Sequence, residues 1–158
     1  MTHVAIEAVL MTPLLVLQIL LLPFVASTMS SYWANATRDI TLQETASQIA
    51  SMVQQLYLSL NRIEVTAGTI TQASTFPTQI AGHTYTARGS LRTSLPPDSG
   101  KVLTINVTLQ DLGNTVTAQT SLGPNVFWNE NSVFYSSSLT ASIKVQKSQD
   151  GTLSFSFG

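Results

Sequence analysis

Hydrophobic positions along this chain fall into three regimes, each predicting a different element. From Ala8 to Ala26 (AVLMTPLLVLQILLLPFVA) the sequence is apolar and free of charge. At ~1.5 Å per residue this run makes a helix of roughly 28 Å, close to the hydrocarbon thickness of a bilayer. From Leu42 onward the apolar positions Leu42, Ala46, Ile49, Val53, Leu56, Leu60 and Ile63 are spaced alternately four and three apart, the stripe of an amphipathic helix. Gln43, Glu44, Ser47, Gln48, Ser51, Gln54, Gln55 and Asn61 fill the other faces. Together the two regimes predict one helix from near residue 2 to near residue 64, ~93 Å long and far longer than a membrane anchor requires.

Beyond Gly68 the period changes to two. Thr66–Phe76, Thr78–Arg88, Val102–Leu109, Thr115–Leu122, Val126–Tyr135, Leu139–Lys147 and Thr152–Phe157 read as strands. Phe76-Pro77, Pro96-Pro97-Asp98, Leu112-Gly113-Asn114, Gly123-Pro124 and the hairpin signal Asp150-Gly151 separate them. Ile105 to Leu109 alternates cleanly, odd positions apolar and even ones polar. Short strands at this spacing predict an antiparallel sandwich of immunoglobulin-like size. The expected fold is therefore α+β, with a long helix over residues 1–65 and a β-sandwich over residues 66–158.

The apolar run admits several roles. A secretory signal peptide needs a basic n-region, but MTHVAIE holds no Lys or Arg and carries Glu7, so the segment is expected to be retained. Tyr32 and Trp33 follow the run where an interfacial aromatic belt would sit, which suits a single-pass anchor. Glu7 suits it less, because a carboxylate at the head of an apolar helix needs a partner, and a cation from another chain would serve. Pro13 and Pro23 each remove a backbone N–H within the run. They mark either a kinked or melted segment or a tolerated transmembrane proline. Gln18, midway between them, is an interhelical hydrogen-bonding group or a residue facing its own kink. The stripe from Leu42 to Ile63 is expected to pack on the chain's own β-domain, with a seam to other subunits as the alternative.

Composition narrows the chemistry. Charged residues are only 9% of the chain and the net charge is −1, so no basic surface for nucleic acid exists. Cysteine is absent, which removes disulfides and thiolate sites together. The two histidines, His3 and His83, lie on unrelated elements, His83 being expected to face solvent from a strand. Asp98, Asp111, Glu130 and Asp150 fall in or beside turns, where short polar side chains cap backbone. No nucleophile elbow or phosphate loop occurs. No enzymatic activity, cofactor or metal is expected. The sequons Asn35-Ala36-Thr37 and Asn106-Val107-Thr108 make Asn35 and Asn106 candidate glycan sites.

An apolar N-terminal helix, a glutamate near its start, an amphipathic continuation and a β-rich remainder together resemble the archaeal type IV pilin and archaellin superfamily. In that family the glutamate stands fifth in the mature chain and pairs with a neighbour's N-terminal amine. Here it is seventh, and counting from His3 (HVAIE) restores the fifth position. The resemblance implies a structural, adhesive subunit of an extracellular cell-surface filament. It implies membrane insertion before assembly, self-association into a homopolymer and service by a pilus assembly machinery. It also implies a polymerisation interface at Glu7, Leu10, Leu14, Leu15, Leu17, Leu20, Leu21 and Phe24, with a helix kink at Pro13 and Pro23. The β-domains would form the outer wall. The alternatives are an archaellin of a motility filament and a membrane-anchored monomeric β-domain.

Overall fold

The structure, a computed structural model, describes the backbone of residues 2–94 and 100–158 and the side chains of residues 11, 13–94 and 100–158. Pro96, Pro97 and Asp98 lie outside the described residues, as do the side chains of His3, Glu7 and Leu10. Among the described residues one helix, α1 (Thr2–Leu60), precedes eight strands. These are β1 (Gly68–Ala73), β2 (Tyr85–Thr93), β3 (Lys101–Leu109), β4 (Thr115–Leu122), β5 (Val126–Trp128), β6 (Val133–Tyr135), β7 (Ser142–Lys147) and β8 (Leu153–Phe157). They form two four-stranded sheets, β1-β7-β8-β5 and β4-β3-β2-β6. The fold is α+β, a long helix followed by a β-sandwich.

The chain divides into two compact units, Met1–Thr37 and Arg38–Gly158, so the division falls inside α1 rather than near residue 65 where the pattern changes. In the second unit the predicted stripe from Leu42 to Leu60 faces the core: Leu42, Ala46, Ile49, Val53 and Leu60 are buried, Leu56 is partly buried against them, and Ala50, outside the predicted stripe, joins them. Polar contacts fix this part of the helix to the strands. Gln43 Nε2 donates to the Thr117 oxygen on edge strand β4 at 3.2 Å, and Asn114 Nδ2 donates to Asp39 Oδ1 at 2.8 Å.

α1 ends at Leu60, earlier than the pattern predicts, and Ile63 is fully exposed instead of completing the stripe. Lys147 Nζ donates to the carbonyls of Leu60 and Arg62, both at 2.7 Å. A cation at the helix C-terminus thus takes oxygens that another turn would have bonded to amides, and it suits the dipole there.

Sheet residues alternate as expected where strands are long. Leu103, Ile105, Val107 and Leu109 are all buried on β3, and they stand opposite Gly89, Ala87 and Tyr85 on β2 and Thr120 and Ala118 on β4. Between the sheets, aromatic rings interlock. Trp128 stacks on Phe155 at 6.3 Å and meets Phe157 edge-on at 5.0 Å, and Phe134 bridges Phe157 to Tyr85. Gly89 lies against the Trp128 indole so closely that a β-carbon there would overlap the ring.

Three expectations about strands are corrected. Val126–Tyr135 is not one strand but two, β5 in one sheet and β6 in the other. Between them Asn129 Oδ1 accepts from the Asn131 amide and Ser132 Oγ donates to the Asn129 carbonyl at 2.6 Å, a side-chain turn that outcompetes extended backbone. As a result β5 pairs with β8 in parallel, so the sandwich is not wholly antiparallel. The segment Thr78–Thr84 is not part of β2: Ala81 (φ 50°) and Gly82 (φ 83°) make a tight reversal, with Ile80 and His83 exchanging backbone hydrogen bonds at 2.9 and 3.0 Å.

Tyr85 is fully buried, and its hydroxyl donates to the Pro77 carbonyl at 2.8 Å. Burial pushes its phenol from 10.0 up to about 12. Between those values the unfolded chain releases a proton that the folded chain keeps, so stability falls as pH rises through the window. The slope integrates to about 2–3 kcal/mol, and in alkaline denaturant titrations Tyr85→Phe is expected to flatten it while lowering stability at neutral pH by about 1 kcal/mol.

A second expectation concerns autonomy. A fragment of residues 38–158 retains the whole core cluster, whereas residues 66–158 lack Leu42, Ile49, Val53 and Leu60. At ~1.5–3 kcal/mol per large buried side chain, that loss matches the total stability of a typical domain. Thermal denaturation followed by near-ultraviolet circular dichroism should show a cooperative transition for 38–158 and none for 66–158.

Candidate functional site: the unpartnered apolar helix

Within the first unit α1 is apolar around its circumference, and every described side chain from Pro13 to Thr37 is exposed. Leu14, Leu15, Leu17, Leu20, Leu21 and Phe24, the expected interface residues, are each at least half exposed, and Ile19 and Leu22 on other faces are equally bare. Exposed apolar surface costs ~25 cal/mol per Å², and a contiguous band of this kind marks a surface that is covered in use. By length and composition α1 can cross a membrane.

The helix is unbroken through Pro13 and Pro23, so the melted-segment reading of these prolines is not what the chain adopts. Proline's fixed φ is compatible with a helix, and each ring removes a single N–H. Local hydroxyls bond back to the helix itself: Thr28 Oγ1 donates to the Val25 carbonyl at 2.9 Å and Ser31 Oγ to the Ser27 carbonyl at 3.0 Å. Tyr32 and Trp33 are exposed at the end of the band.

Elsewhere the remaining candidates are dispersed. Asn106 is exposed on β3, its Oδ1 accepting from Thr117 Oγ1 at 2.9 Å, and Asn35 is exposed on α1. His83 sits on the tight reversal rather than on a strand, half-buried, with Nδ1 at 3.3 Å from Asp111 Oδ2. Asp150 accepts from the Thr152 amide and hydroxyl, both at 3.0 Å, and these bonds hold its carboxyl below the ordinary value. Its role is that of a turn residue, as expected. Among the described residues no cluster of His, Asp and Glu could hold a metal ion. A groove of about 400 Å³ beside β5, β7 and β8 is bordered by Phe127, Lys144, Ser154 and Ser156.

Sequence reasoning missed the lysines that stitch the second unit. Besides Lys147, Lys101 Nζ donates to the Val126 carbonyl at 2.7 Å and lies 4.5 Å from the Phe127 ring centroid. Neither contact has a local sequence signature, because each joins positions far apart in the chain. Comparison with protein-family models, with curated proteins and with solved structures gave no match to this chain.

The contrast between the two units predicts phase behaviour. In detergent phase separation the full chain should partition into the detergent-rich phase and residues 38–158 into the aqueous phase. Aqueous partitioning of the monodisperse full chain would show that the band folds back and is covered.

Proposed function

We propose that this chain is the structural subunit of an extracellular type IV pilus-like filament that polymerises through its N-terminal helix. One observation carries the reading: the apolar band of α1 is exposed on all its faces, while the same helix farther on is seated in a complete core of its own. A span that served only as an anchor would not need to continue as an amphipathic helix built into a folded domain. The resemblance to archaeal pilins noted above agrees with this arrangement.

The mechanism is burial. Before assembly the band sits in the membrane. On assembly it exchanges lipid for the bands of neighbouring copies, a step that a pilus assembly machinery drives. If the finished filament shields even ~500 Å² of apolar surface per subunit from water, that surface contributes on the order of 12 kcal/mol before ordering costs. Glu7, outside the described side chains, would meet a neighbour's terminal amine, since an unpaired buried carboxylate is strongly disfavoured. Asn106, outward on β3, is the sequon best placed for a glycan. The low charge fits a subunit that covers much of itself with its neighbours.

Electron microscopy of material sheared from the cell surface, with mass spectrometry for this chain, tests the reading. Thin filaments containing residues of the apolar band are the expected result. Leu15→Asp and Leu20→Asp should each reduce filament yield at least a hundredfold, since a charge in the apolar core costs about 3 kcal/mol or more. Normal filament yield from both variants, or this chain found only as a membrane-bound monomer, would refute the proposal.

A further inference from the structure

The apolar band contains a polar exception and two backbone defects, and they are complementary. Pro13 and Pro23 stand inside α1 and have no N–H for the carbonyl four residues earlier. The peptide oxygens of Val9 and Ile19 therefore lack their helical donor. Among the described side chains from Pro13 to Ala26, Gln18 alone carries a hydrogen-bond donor. It is exposed, and no described residue bonds to it. The hydroxyls of Thr28 and Ser31 already bond to carbonyls within their own turns.

In hydrocarbon or in a dry bundle of helices, an unmet amide and an unmet carbonyl are both costly, and lipid tails can satisfy neither. Thr12, three residues after Val9, has its side chain outside the described residues, whereas no hydroxyl stands three or four residues after Ile19. Each copy of the chain thus holds an orphan acceptor and an orphan donor in one segment, and a second copy supplies what each lacks. We propose that in the polymer the Gln18 carboxamide of one copy donates to a peptide oxygen freed by Pro13 or Pro23 on a neighbouring copy, and that this bond fixes the axial register of the packed helices. The inference rests on the polymer reading above.

Register needs such a device. Leucine packs against leucine at many axial offsets, and a band that is apolar on every side has no preferred rotation. A donor facing acceptors at set heights selects among these arrangements, as a single buried asparagine selects register in a coiled coil. The two acceptors predict different offsets. Ile19 is adjacent to Gln18 in sequence and pairs helices nearly level, whereas Val9 shifts one helix along the other by ~13 Å at ~1.5 Å per residue.

The test uses filaments of the full chain: wild type, Gln18→Leu, Pro13→Ala, Pro23→Ala and the two double variants. Dissociation in detergent and axial rise by cryo-electron microscopy are measured for each. Gln18→Leu keeps the volume and apolarity of the band, so filaments should still form, but they should dissociate several-fold faster and show more than one axial rise. Restoring the N–H at the relevant proline should remove the acceptor, so that the double variant loses no more than the worse single variant. Such coupling to either proline supports the bond and identifies its acceptor. Gln18→Leu filaments with the single wild-type rise and the wild-type dissociation rate overturn the register role and leave the polymer reading standing. Purely additive effects with both prolines also overturn it. Absence of filaments from the wild-type chain overturns the polymer reading and this inference together.

Discussion

Everything in this molecule depends on how one helix disposes of its apolar surface. Over residues 42–60 the surface is a stripe, and the sandwich covers it to the point that Leu42, Ala46, Ile49 and Val53 are wholly buried. Over residues 13–26 it is not a stripe but the entire circumference, and no described residue covers it. A stripe can be satisfied by one neighbour on one side. A fully apolar circumference can be satisfied only by a medium or by several neighbours at once. The two halves of α1 therefore ask for different environments, and the described residues provide only one of them.

The second unit shows how a protein with so few charges holds together. Two of its three lysines serve as donors to backbone oxygen: Lys147 closes the end of α1, and Lys101 reaches from β3 to the β5 carbonyl. His83 Nδ1 meets the Asp111 carboxylate at 3.3 Å on the surface. Exposed ion pairs contribute little in any case. The weight falls on apolar packing, and there the tolerance is small. Gly89 is where β2 passes over the Trp128 indole, and any side chain would push the sheets apart at the point where Phe155 and Phe157 also converge.

What the pattern of residues reveals follows from how local each cause is. The helical stripe was legible from Leu42 to Leu60 because its period is set by neighbours three and four apart, and the alternation of β3 was legible because it lies at the centre of its sheet, with one face inward throughout. β4 began and ended where turn residues place it, since Gly113 adopts φ 71° as a turn glycine should. The division of Val126–Tyr135 was not legible, because apolar alternation continues across it. Only the competition between Asn129–Ser132 side chains and extended backbone breaks the strand, and the parallel pairing of β5 with β8 depends on residues 27 positions apart (Val126 with Leu153). The early end of α1 has the same origin, a lysine 87 positions distant from Leu60. The unpartnered band was legible in composition and the single long helix in the pattern, but the choice between a melted and a helical backbone at Pro13 and Pro23 was not.

The polar exceptions acquire their meaning from that band. A uniformly apolar helix is driven to associate but is indifferent to how it does so, because transfer free energy depends on area and not on direction. Order in an assembly must come from groups whose interactions are directional. In the band those groups are few: a glutamate near its head, one threonine, one glutamine and two prolines. None of them improves burial, and each is costly in hydrocarbon unless it is met. Features that cost energy in the isolated chain and recover it only against a defined partner are those that distinguish an ordered polymer from an aggregate of the same surface area. In the proposed polymer the band would supply the driving force for association, and its exceptions the geometry.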